Sequence, residues 1–222
     1  MPPVVVFDVN ETLLDLSVLD APLQRILGEG PVRREWFAQL IQLALVVTLT
    51  DSYLNFKVLA GEALDLVAGR RGVVLDDEAR SSVVGQITHL PAHPEVPAAL
   101  DLLRTGGVRL VALTNSPPAT AEAQLTNAGL IDRFERVMSV DPTRRFKPHP
   151  APYEMAADEL GIGPTRLWMV AAHDWDIAGA MRVGYKGAFV DRPGQDFASA
   201  YPAPDLVGAD VAEVAQSLLT QD

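Results

Sequence analysis

The stretch Val4-Val5-Val6-Phe7-Asp8-Val9-Asn10-Glu11-Thr12 is the part of the sequence that best predicts the fold. Its first four residues are apolar and mostly β-branched, without the alternation of polar and apolar residues that marks a strand wetted on one face. Such a continuous run is typical of a strand covered on both faces, as in a parallel sheet. We therefore interpret 4–7 as a buried strand with Asp8 at its carboxyl end.

Further apolar runs and helical patterns alternate along the rest of the chain. The runs 108–113, 167–171 and 187–190 have the same strand character as the first. The helical patterns between and around them cover 95–105, 118–129, 151–160 and 176–184. Alternation of strand and helix predicts an α/β fold with a doubly wound, Rossmann-like parallel sheet.

The alternation is interrupted once, directly after the first strand. Residues 17–90 contain no convincing strand, and four helical patterns follow one another there, at 17–27, 32–48, 52–69 and 76–87. Two prolines, Pro91 and Pro94, then form a stiff connector. We predict an α/β core domain made of residues 1–15 and 91–222, and a helical cap domain, 16–90, inserted after the first strand.

Composition narrows the functional class. The chain has 222 residues, 48% of them hydrophobic and 21% charged, which is typical of a globular protein. The net charge of −11 argues against binding to nucleic acid or to an anionic membrane. The absence of cysteine excludes thiol catalysis and cysteine-ligated metals. Together with the lack of a signal sequence after Met1, it leads us to expect a cytoplasmic protein.

Ligands of open parallel sheets bind beyond the carboxyl ends of the strands, so the residues that follow each apolar run are candidates for a functional site. Asp8 follows the first strand, where a carboxylate is placed to act as a nucleophile or to cap the next helix. Thr114, Asn115 and Ser116 follow the second. They are suited to hold an anion at a helix start, or Ser116 caps a helix whose first residue is Pro117.

Two later segments also combine polar residues of functional type. Arg144, Arg145 and Lys147 lie in one short loop, either as a solvated surface or with the lysine neutralising nearby carboxylates. The run His173-Asp174-Trp175-Asp176 follows the third apolar strand. Its acids are suited to catalysis or to helix capping, and its tryptophan to a binding site or to the core.

Taken together, these segments resemble the haloacid dehalogenase superfamily over essentially the whole chain. The resemblance rests on Asp8 to Thr12, on Leu113-Thr114-Asn115, on Lys147-Pro148 and on the late Asp176. The metal-dependent phosphatases of this superfamily have a second Asp where this chain has Asn10, and a magnesium ligand where it has Ala171. A halide leaving group needs neither a proton nor a metal, so the resemblance implies dehalogenation without a cofactor.

Several other segments resemble the type II 2-haloacid dehalogenases of that superfamily. They are the cap segment from Trp36 through 52–56, the run 139–142, Phe146-Lys147-Pro148 followed by Tyr153-Glu154, and the pair Trp175-Asp176. The resemblance implies hydrolysis of small 2-haloacids, with a small organic acid as the substrate. Two alternatives stay open: a magnesium-dependent phosphatase of small molecules, and a member that binds anions without catalysis.

The resemblance also implies roles for individual residues. Asp8 is the nucleophile, Thr12 orients it, Lys147 neutralises the carboxylates, and Asp176 activates water with help from Lys147 or His173. Thr114 and Asn115 bind the substrate carboxylate, and Tyr153 bonds near the carboxylate cluster. Phe56 and Trp175 line an apolar pocket, and Asn10 and Phe37 are further substrate-binding positions.

Five positions depart from the family pattern, and one of them is Thr114, where the family has Ser. The family has Tyr at Asn10, Asn at His173, its halide-binding Arg at Phe37, and Gln at Ala38. Arg33, Arg34 and His173 are candidate replacements for the missing Arg. Homodimerisation is a further implication of the resemblance, with the apolar helix 38–49 either at the interface or, as we prefer, in the core of the cap.

Overall fold

The computed structural model describes residues 4–221, and its centre is a six-stranded parallel sheet. The strand order is β3-β2-β1-β4-β5-β6. The strands are β1 (Val4–Phe7), β2 (Arg109–Thr114), β3 (Arg136–Ser139), β4 (Leu167–Ala171), β5 (Lys186–Val190) and β6 (Leu206–Gly208). The prediction of a doubly wound α/β fold is confirmed.

The first strand lies in the middle of the sheet, as its apolar sequence predicts. All four of its residues are buried, and Val4 lies opposite Arg109 of β2 and Leu167 of β4. The hydrogen bonding between β1 and β4 continues for one more residue, because the Asp8 N–H donates to the Val170 carbonyl at 3.0 Å. Asp8 is therefore fixed at the carboxyl edge of the sheet, where β2 and β4 also end.

Nine α-helices lie within residues 4–221. Four of them, α1 (Asp20–Leu27), α2 (Val32–Leu49), α3 (Phe56–Arg70) and α4 (Asp77–Gln86), stand between β1 and β2. The other five alternate with the later strands: α5 (Val96–Thr105), α6 (Pro118–Asn127), α7 (Pro150–Leu160), α8 (Asp174–Arg182) and α9 (Val211–Leu219).

Two predicted helix starts are wrong, and a capping residue explains the first. The pattern 52–69 begins as a helix only at Phe56, because the Asn55 side chain accepts a hydrogen bond from the Val58 N–H and ends the preceding loop. The pattern 17–27 begins with a short 3-10 turn, Leu16–Leu19, capped by Asp15, before α1 starts.

The helical segment between β1 and β2 has its own apolar packing and touches the sheet edge. Within it, α2 and α3 pack through buried side chains, and the Trp36 indole N–H donates to the Ala60 carbonyl at 2.9 Å. Toward the sheet, the Phe146 N–H donates to the Thr48 hydroxyl at 3.0 Å. This arrangement agrees with a cap, but the division into two domains stays a prediction. Residues 1–3 and 222 of the predicted core domain lie outside the described part of the chain.

Between Val4 and Gln221, no helix is long and apolar enough to cross a membrane. Helix α2 buries Leu40, Ala44 and Val47, while Leu49 on its other side is 79% exposed. The cytoplasmic location and the homodimer stay predictions.

Candidate active site

Three side chains hold the carboxylate of Asp8 at the sheet edge. Its Oδ1 accepts from the Lys147 ammonium at 2.8 Å. Its Oδ2 accepts from the Thr12 hydroxyl at 2.7 Å and lies 3.2 Å from His173 Nδ1. Asp8 caps no helix, since the next helical turn begins at Leu16. The capping alternative is therefore wrong.

Lys147 lies between two buried carboxylates. Its ammonium donates to Asp8, to Asp176 Oδ2 at 2.6 Å and to the Leu113 carbonyl at 2.8 Å, and the side chain is fully buried. Burial alone lowers the pKa of a lysine, but Asp176 and Asp8 raise the pKa of Lys147 above its ordinary value. The predicted pairing of this lysine with the carboxylates is present in the structure.

The opposite balance holds at Asp8, which is kept ionised. Burial alone would raise its pKa, but the positive charges of Lys147 and His173 lower the pKa of Asp8 well below its ordinary value. Asp8 is therefore a carboxylate at neutral pH, as a nucleophile must be.

Both carboxylate oxygens of Asp176, which is expected to activate water, are hydrogen-bonded to other side chains. Its side chain is inaccessible to solvent, Oδ2 accepts from Lys147, and Oδ1 accepts from the Tyr153 hydroxyl at 2.6 Å. Burial raises the pKa of Asp176 above its ordinary value, against the opposing effect of Lys147. Activation of water by Asp176 stays a prediction.

His173 bridges Asp8 and a residue that the sequence analysis missed, Glu11. Its Nε2 lies 3.1 Å from Glu11 Oε2, and its ring is stacked between Phe37 and Trp175, with centroid distances of 5.4 and 4.8 Å. Burial alone lowers the pKa of a histidine, but the two carboxylates raise that of His173 to about 9. The imidazole is a cation at neutral pH.

Glu11 has the left-handed backbone conformation, with φ of 61°, which is uncommon for a residue other than glycine. Its carboxylate is held by Arg33 at 2.5 Å and by Gln195 at 2.9 Å as well as by His173. The signal that could have identified Glu11 is its position, because it shares with Asp8 the short loop after β1.

An apolar cavity of about 130 Å³ lies between the helical segment and the sheet edge. Asn10 and Ser116 are the polar residues at its inner end, and the Asn10 amide oxygen accepts from Gln124 at 2.8 Å. Most of the remaining wall is apolar, including Leu16, Trp36, Phe37, Leu40, Phe56, Ala60, Val84 and Ile87. The cavity is large enough for a small organic molecule with an apolar substituent.

The predicted substrate-binding residues are divided between this cavity and a second cleft. Phe56 lines the cavity, Trp175 lines the cleft beside His173, and Phe37 lies between them and contacts both. Phe56 and Trp175 therefore do not line one pocket, as the sequence analysis expected.

The residues after β2 support the lysine loop. Thr114 is fully buried, and its hydroxyl accepts from the Ser116 N–H at 3.1 Å. The Asn115 side-chain oxygen accepts from the Lys147 N–H at 3.0 Å. Ser116 does not cap a helix, since α6 begins at Pro118 and its N-cap is Pro117, so that alternative is wrong.

Arg33 and Arg34, considered as replacements for the family's halide-binding arginine, contact other residues of the protein. Arg33 is paired with Glu11 and Asp20, and Arg34 lies against Gly194 at the outer edge of the cleft. In the loop before Lys147, Arg145 pairs with Asp51, and Arg144 lies over the Tyr53 ring.

Among residues 4–221, no group of three or more His, Asp or Glu side chains is arranged to hold a metal ion. Asp174, one of the two acids suited to catalysis or to helix capping, accepts with Oδ1 from the Trp175 N–H at 2.7 Å at the start of α8. The ammonium of Lys147 lies between Asp8 and Asp176 and is a positive charge that both carboxylates contact.

Comparison with known proteins gives concordant matches. The model of the haloacid dehalogenase-like hydrolases matches residues 2–184. The chain is 30% identical over 204 residues to haloacetate dehalogenase H-2 of Moraxella sp. (strain B), covering 91% of each chain. It is 30% identical to the (S)-2-haloacid dehalogenase of Pseudomonas sp. (strain YL), covering 90% of this chain and 88% of that one.

A solved structure is similar over the whole chain. The L-2-haloacid dehalogenase from Xanthobacter autotrophicus superimposes with a TM-score of 0.93 at 25% identity, covering all of both chains. A second structure of that protein, at 24% identity and the same TM-score, has chloropropionic acid covalently bound and supports the likeness in fold.

Proposed function

The chain belongs to the haloacid dehalogenase-like hydrolases, and we propose that it hydrolyses the carbon–halogen bond of small 2-haloacids. One observation supports this function above the others. Asp8 is a buried, ionised carboxylate at the edge of the sheet, held by Lys147, Thr12 and His173. It stands two residues before Asn10, which lines the apolar cavity. A fixed, poorly solvated carboxylate is suited to attack a carbon that carries a halogen.

The reaction has two steps. In the first, a carboxylate oxygen of Asp8 attacks the carbon that bears the halogen, halide leaves with the electron pair of the broken bond, and an aspartyl ester forms. In the second, water attacks the Asp8 carbonyl carbon and releases the 2-hydroxy acid. Lys147 holds Asp8 and Asp176 in place in both steps, and Asp176 orients the water.

The chemistry requires no metal. Halide leaves as a stable anion, so no acid has to protonate it, and the missing second carboxylate at Asn10 is tolerated. The buried ammonium of Lys147 supplies the positive charge that two neighbouring carboxylates need.

The substrate is a small organic acid that enters the apolar cavity. Its substituent packs against Phe37 and Phe56, and its carboxylate lies at the polar end near Asn10 and Ser116. Asn115 acts indirectly, since its side chain fixes the backbone of Lys147.

The experiment that tests this function is halide release from the two enantiomers of 2-chloropropionate, with and without EDTA. We expect the native chain to release halide in both conditions, and Asp8→Asn to lose at least about a thousandfold in rate, because its amide is a poor nucleophile. Asp132→Asn, a surface change of the same chemistry, should leave the rate unchanged.

Single turnover in water enriched in heavy oxygen completes the test. Attack of water on the ester carbonyl puts the label into Asp8, whereas direct attack on the substrate carbon puts it into the product. Halide release that survives Asp8→Asn would refute the assigned nucleophile. Turnover of aryl phosphates that depends on magnesium would favour the phosphatase alternative.

A further inference from the structure

The contacts of His173 define its charge from geometry alone. One ring nitrogen faces Asp8 Oδ2 and the other faces Glu11 Oε2, at 3.2 and 3.1 Å. Ionised carboxylates only accept hydrogen bonds, so both nitrogens must carry a proton to satisfy both contacts. The imidazolium form is therefore the one that fits, and neither of its N–H groups is free to hold a leaving halide.

We propose that His173 and Thr12 form an oxyanion-binding site for the second step, and that Glu11 is the positioning residue that keeps His173 charged and oriented. This inference rests on the proposed function and adds to it. It gives the charged pair of His173 and Glu11 a function in hydrolysis of the ester.

The two oxygens of Asp8 have different partners, which separates their roles. Oδ2 accepts from Thr12 and lies against His173, whereas Oδ1 contacts only the Lys147 ammonium among the side chains described. Oδ1 is the oxygen freer to attack, so it becomes the ester oxygen, and Oδ2 becomes the carbonyl oxygen. The negative charge of the tetrahedral intermediate then develops on Oδ2, at about the distance from two donors that stabilises an oxyanion.

The electrons and protons of this step balance without a further reactant. Water attacks the Asp8 carbonyl carbon, one of its protons passes to Asp176, and the π electrons of the carbonyl move onto Oδ2. When the carbonyl re-forms, the bond from carbon to Oδ1 breaks and Oδ1 leaves with the electron pair. Oδ1 takes a proton from Lys147, which recovers one from Asp176, and the new carboxylic acid of Asp8 releases its proton to solvent.

Glu11 is placed to keep the proton on His173. Carboxylates face the ring at both ends, Asp8 and Glu11, while aromatic rings cover its two faces. The nearest further charges lie behind these partners, Lys147 on Asp8 and Arg33 on Glu11, with Asp174 next in the chain. Once Asp8 is esterified, Glu11 is the one carboxylate still in contact with the ring.

The backbone of Glu11 supports a specific role for its carboxylate. A left-handed conformation is unfavourable for a residue other than glycine, and such strain persists where surrounding contacts fix it. Arg33 donates to Oε1 of this carboxylate, and Gln195 donates to Oε2, the oxygen that also faces His173. The side chain therefore cannot rotate away when Asp8 loses its charge.

The test separates the two steps in Glu11→Gln and His173→Gln, with Glu159→Gln as a matched surface control. Rapid quenching measures the first burst of halide, intact-protein mass spectrometry measures the ester on Asp8, and thermal melting reports folding. We expect ester hydrolysis to fall by at least about tenfold more than the rate of the first burst, so that the ester accumulates.

The pH dependence of ester hydrolysis distinguishes the proposed role from a structural one. In the native chain we expect the rate to fall only as the pH rises toward the pKa of His173, and in Glu11→Gln at a lower pH. A structural role would lower both steps together and would leave the profile unmoved. A rate that rises as His173 loses its proton would make the histidine a base and overturn the proposal.

Nitrogen NMR of the imidazole in the unmodified native chain is a second measurement, independent of how the variants fold. Two protonated ring nitrogens at pH 8 are expected, and a neutral ring there would overturn the proposal. Normal ester turnover in both variants, with halide released by the native chain, would refute this inference alone. Absence of halide from the native chain with every 2-haloacid would instead refute the proposed function and the inference with it.

Discussion

Lys147 is the residue on which the charge balance of the site depends most directly. Among residues 4–221 it is the one cation in contact with both Asp8 and Asp176, and all three groups are buried. Replacing it by methionine keeps most of the volume but leaves two carboxylates facing each other. We expect Lys147→Met to abolish activity and to lower the free energy of unfolding by about 3–5 kcal/mol at pH 7.

Urea unfolding measures this effect, and its pH dependence provides an internal check. In Lys147→Met the two buried carboxylates lack their cation and take up a proton as the pH falls, so the difference between the variant and the native chain should shrink below pH 5. Lys186→Met changes an exposed lysine of β5 and should have little effect. Equal stability of Lys147→Met and the native chain at pH 7 would contradict the charge balance described.

The raised pKa of His173 predicts how stability depends on pH. Its value of about 9 in the folded chain exceeds the ordinary 6.5, so the native state binds this proton more tightly than the unfolded state does. The resulting stabilisation is complete below about pH 6.5 and is lost as the pH rises through 9. A shift of this size corresponds to about 3 kcal/mol.

Unfolding free energies of the native chain and of His173→Gln, measured between pH 6 and 10, test this prediction. The native curve should decline across that window, and the variant should lack this decline. Parallel curves would show that His173 titrates near its ordinary pKa.

At the residue scale, the sequence was informative where a side chain ends a strand. Asp8 was predicted because β1 is a continuous apolar run, and it lies beside Lys147 and Asp176 as expected. Glu11 was missed because its importance arises from contact with His173, which is distant in sequence and comes close only through the pairing of β1 with β4. A pattern along the chain contains no record of that contact.

At the scale of elements, α8 must approach the lysine loop closely. A Cβ added to Gly179 would lie 2.6 Å from Pro148 Cβ and 2.7 Å from both the Pro148 carbonyl oxygen and the Tyr153 hydroxyl. Gly179→Ala should therefore push α8, which carries Asp176, away from Lys147. We expect a loss of about 1–3 kcal/mol in stability and a fall of more than about tenfold in turnover.

Gly69→Ala is the matched control for this change. Gly69 lies in α3 with open space around its Cβ position, so alanine should be neutral or should stabilise the helix by up to about 1 kcal/mol. Thermal melting and halide release measure both variants. Full activity in Gly179→Ala would mean that the approach of α8 to the loop can relax at no cost.

The elements that sequence patterns missed have weak apolar signals. Strand β3 begins with the exposed Arg136, and β6 has three residues of which Val207 is 57% exposed. Both lie at the edges of the sheet, where burial on two faces is not required. Helix α9, although amphipathic, follows β6 and was overlooked with it.

At the scale of the whole molecule, the cavity is formed jointly by the helical segment and the sheet edge, so its size should set the substrate range. Ala60 of α3 lines the cavity opposite Phe37 of α2. We expect Ala60→Phe to fill much of the 130 Å³ and to raise KM for 2-chlorohexanoate at least about tenfold, with much less effect on chloroacetate.

Steady-state kinetics with the two substrates test this prediction. For each variant, KM for chloroacetate is the reference for KM for 2-chlorohexanoate. Ala200→Phe, in an exposed loop, is the matched control and should change neither KM. An equal loss for both substrates would indicate general damage to the site, and no change for either would show that the substituent binds elsewhere.

The position of β1 between β2 and β4 also determines when the site can arise during synthesis. The first strand leaves the ribosome long before either neighbour, since its partners are residues 109–112 and 167–170. Thr12 is present from the start, but Lys147, His173 and Asp176 arrive late. A nascent chain therefore carries the proposed nucleophile, Asp8, as an ordinary hydrated aspartate, and we expect reactivity only when most of the polypeptide has been made.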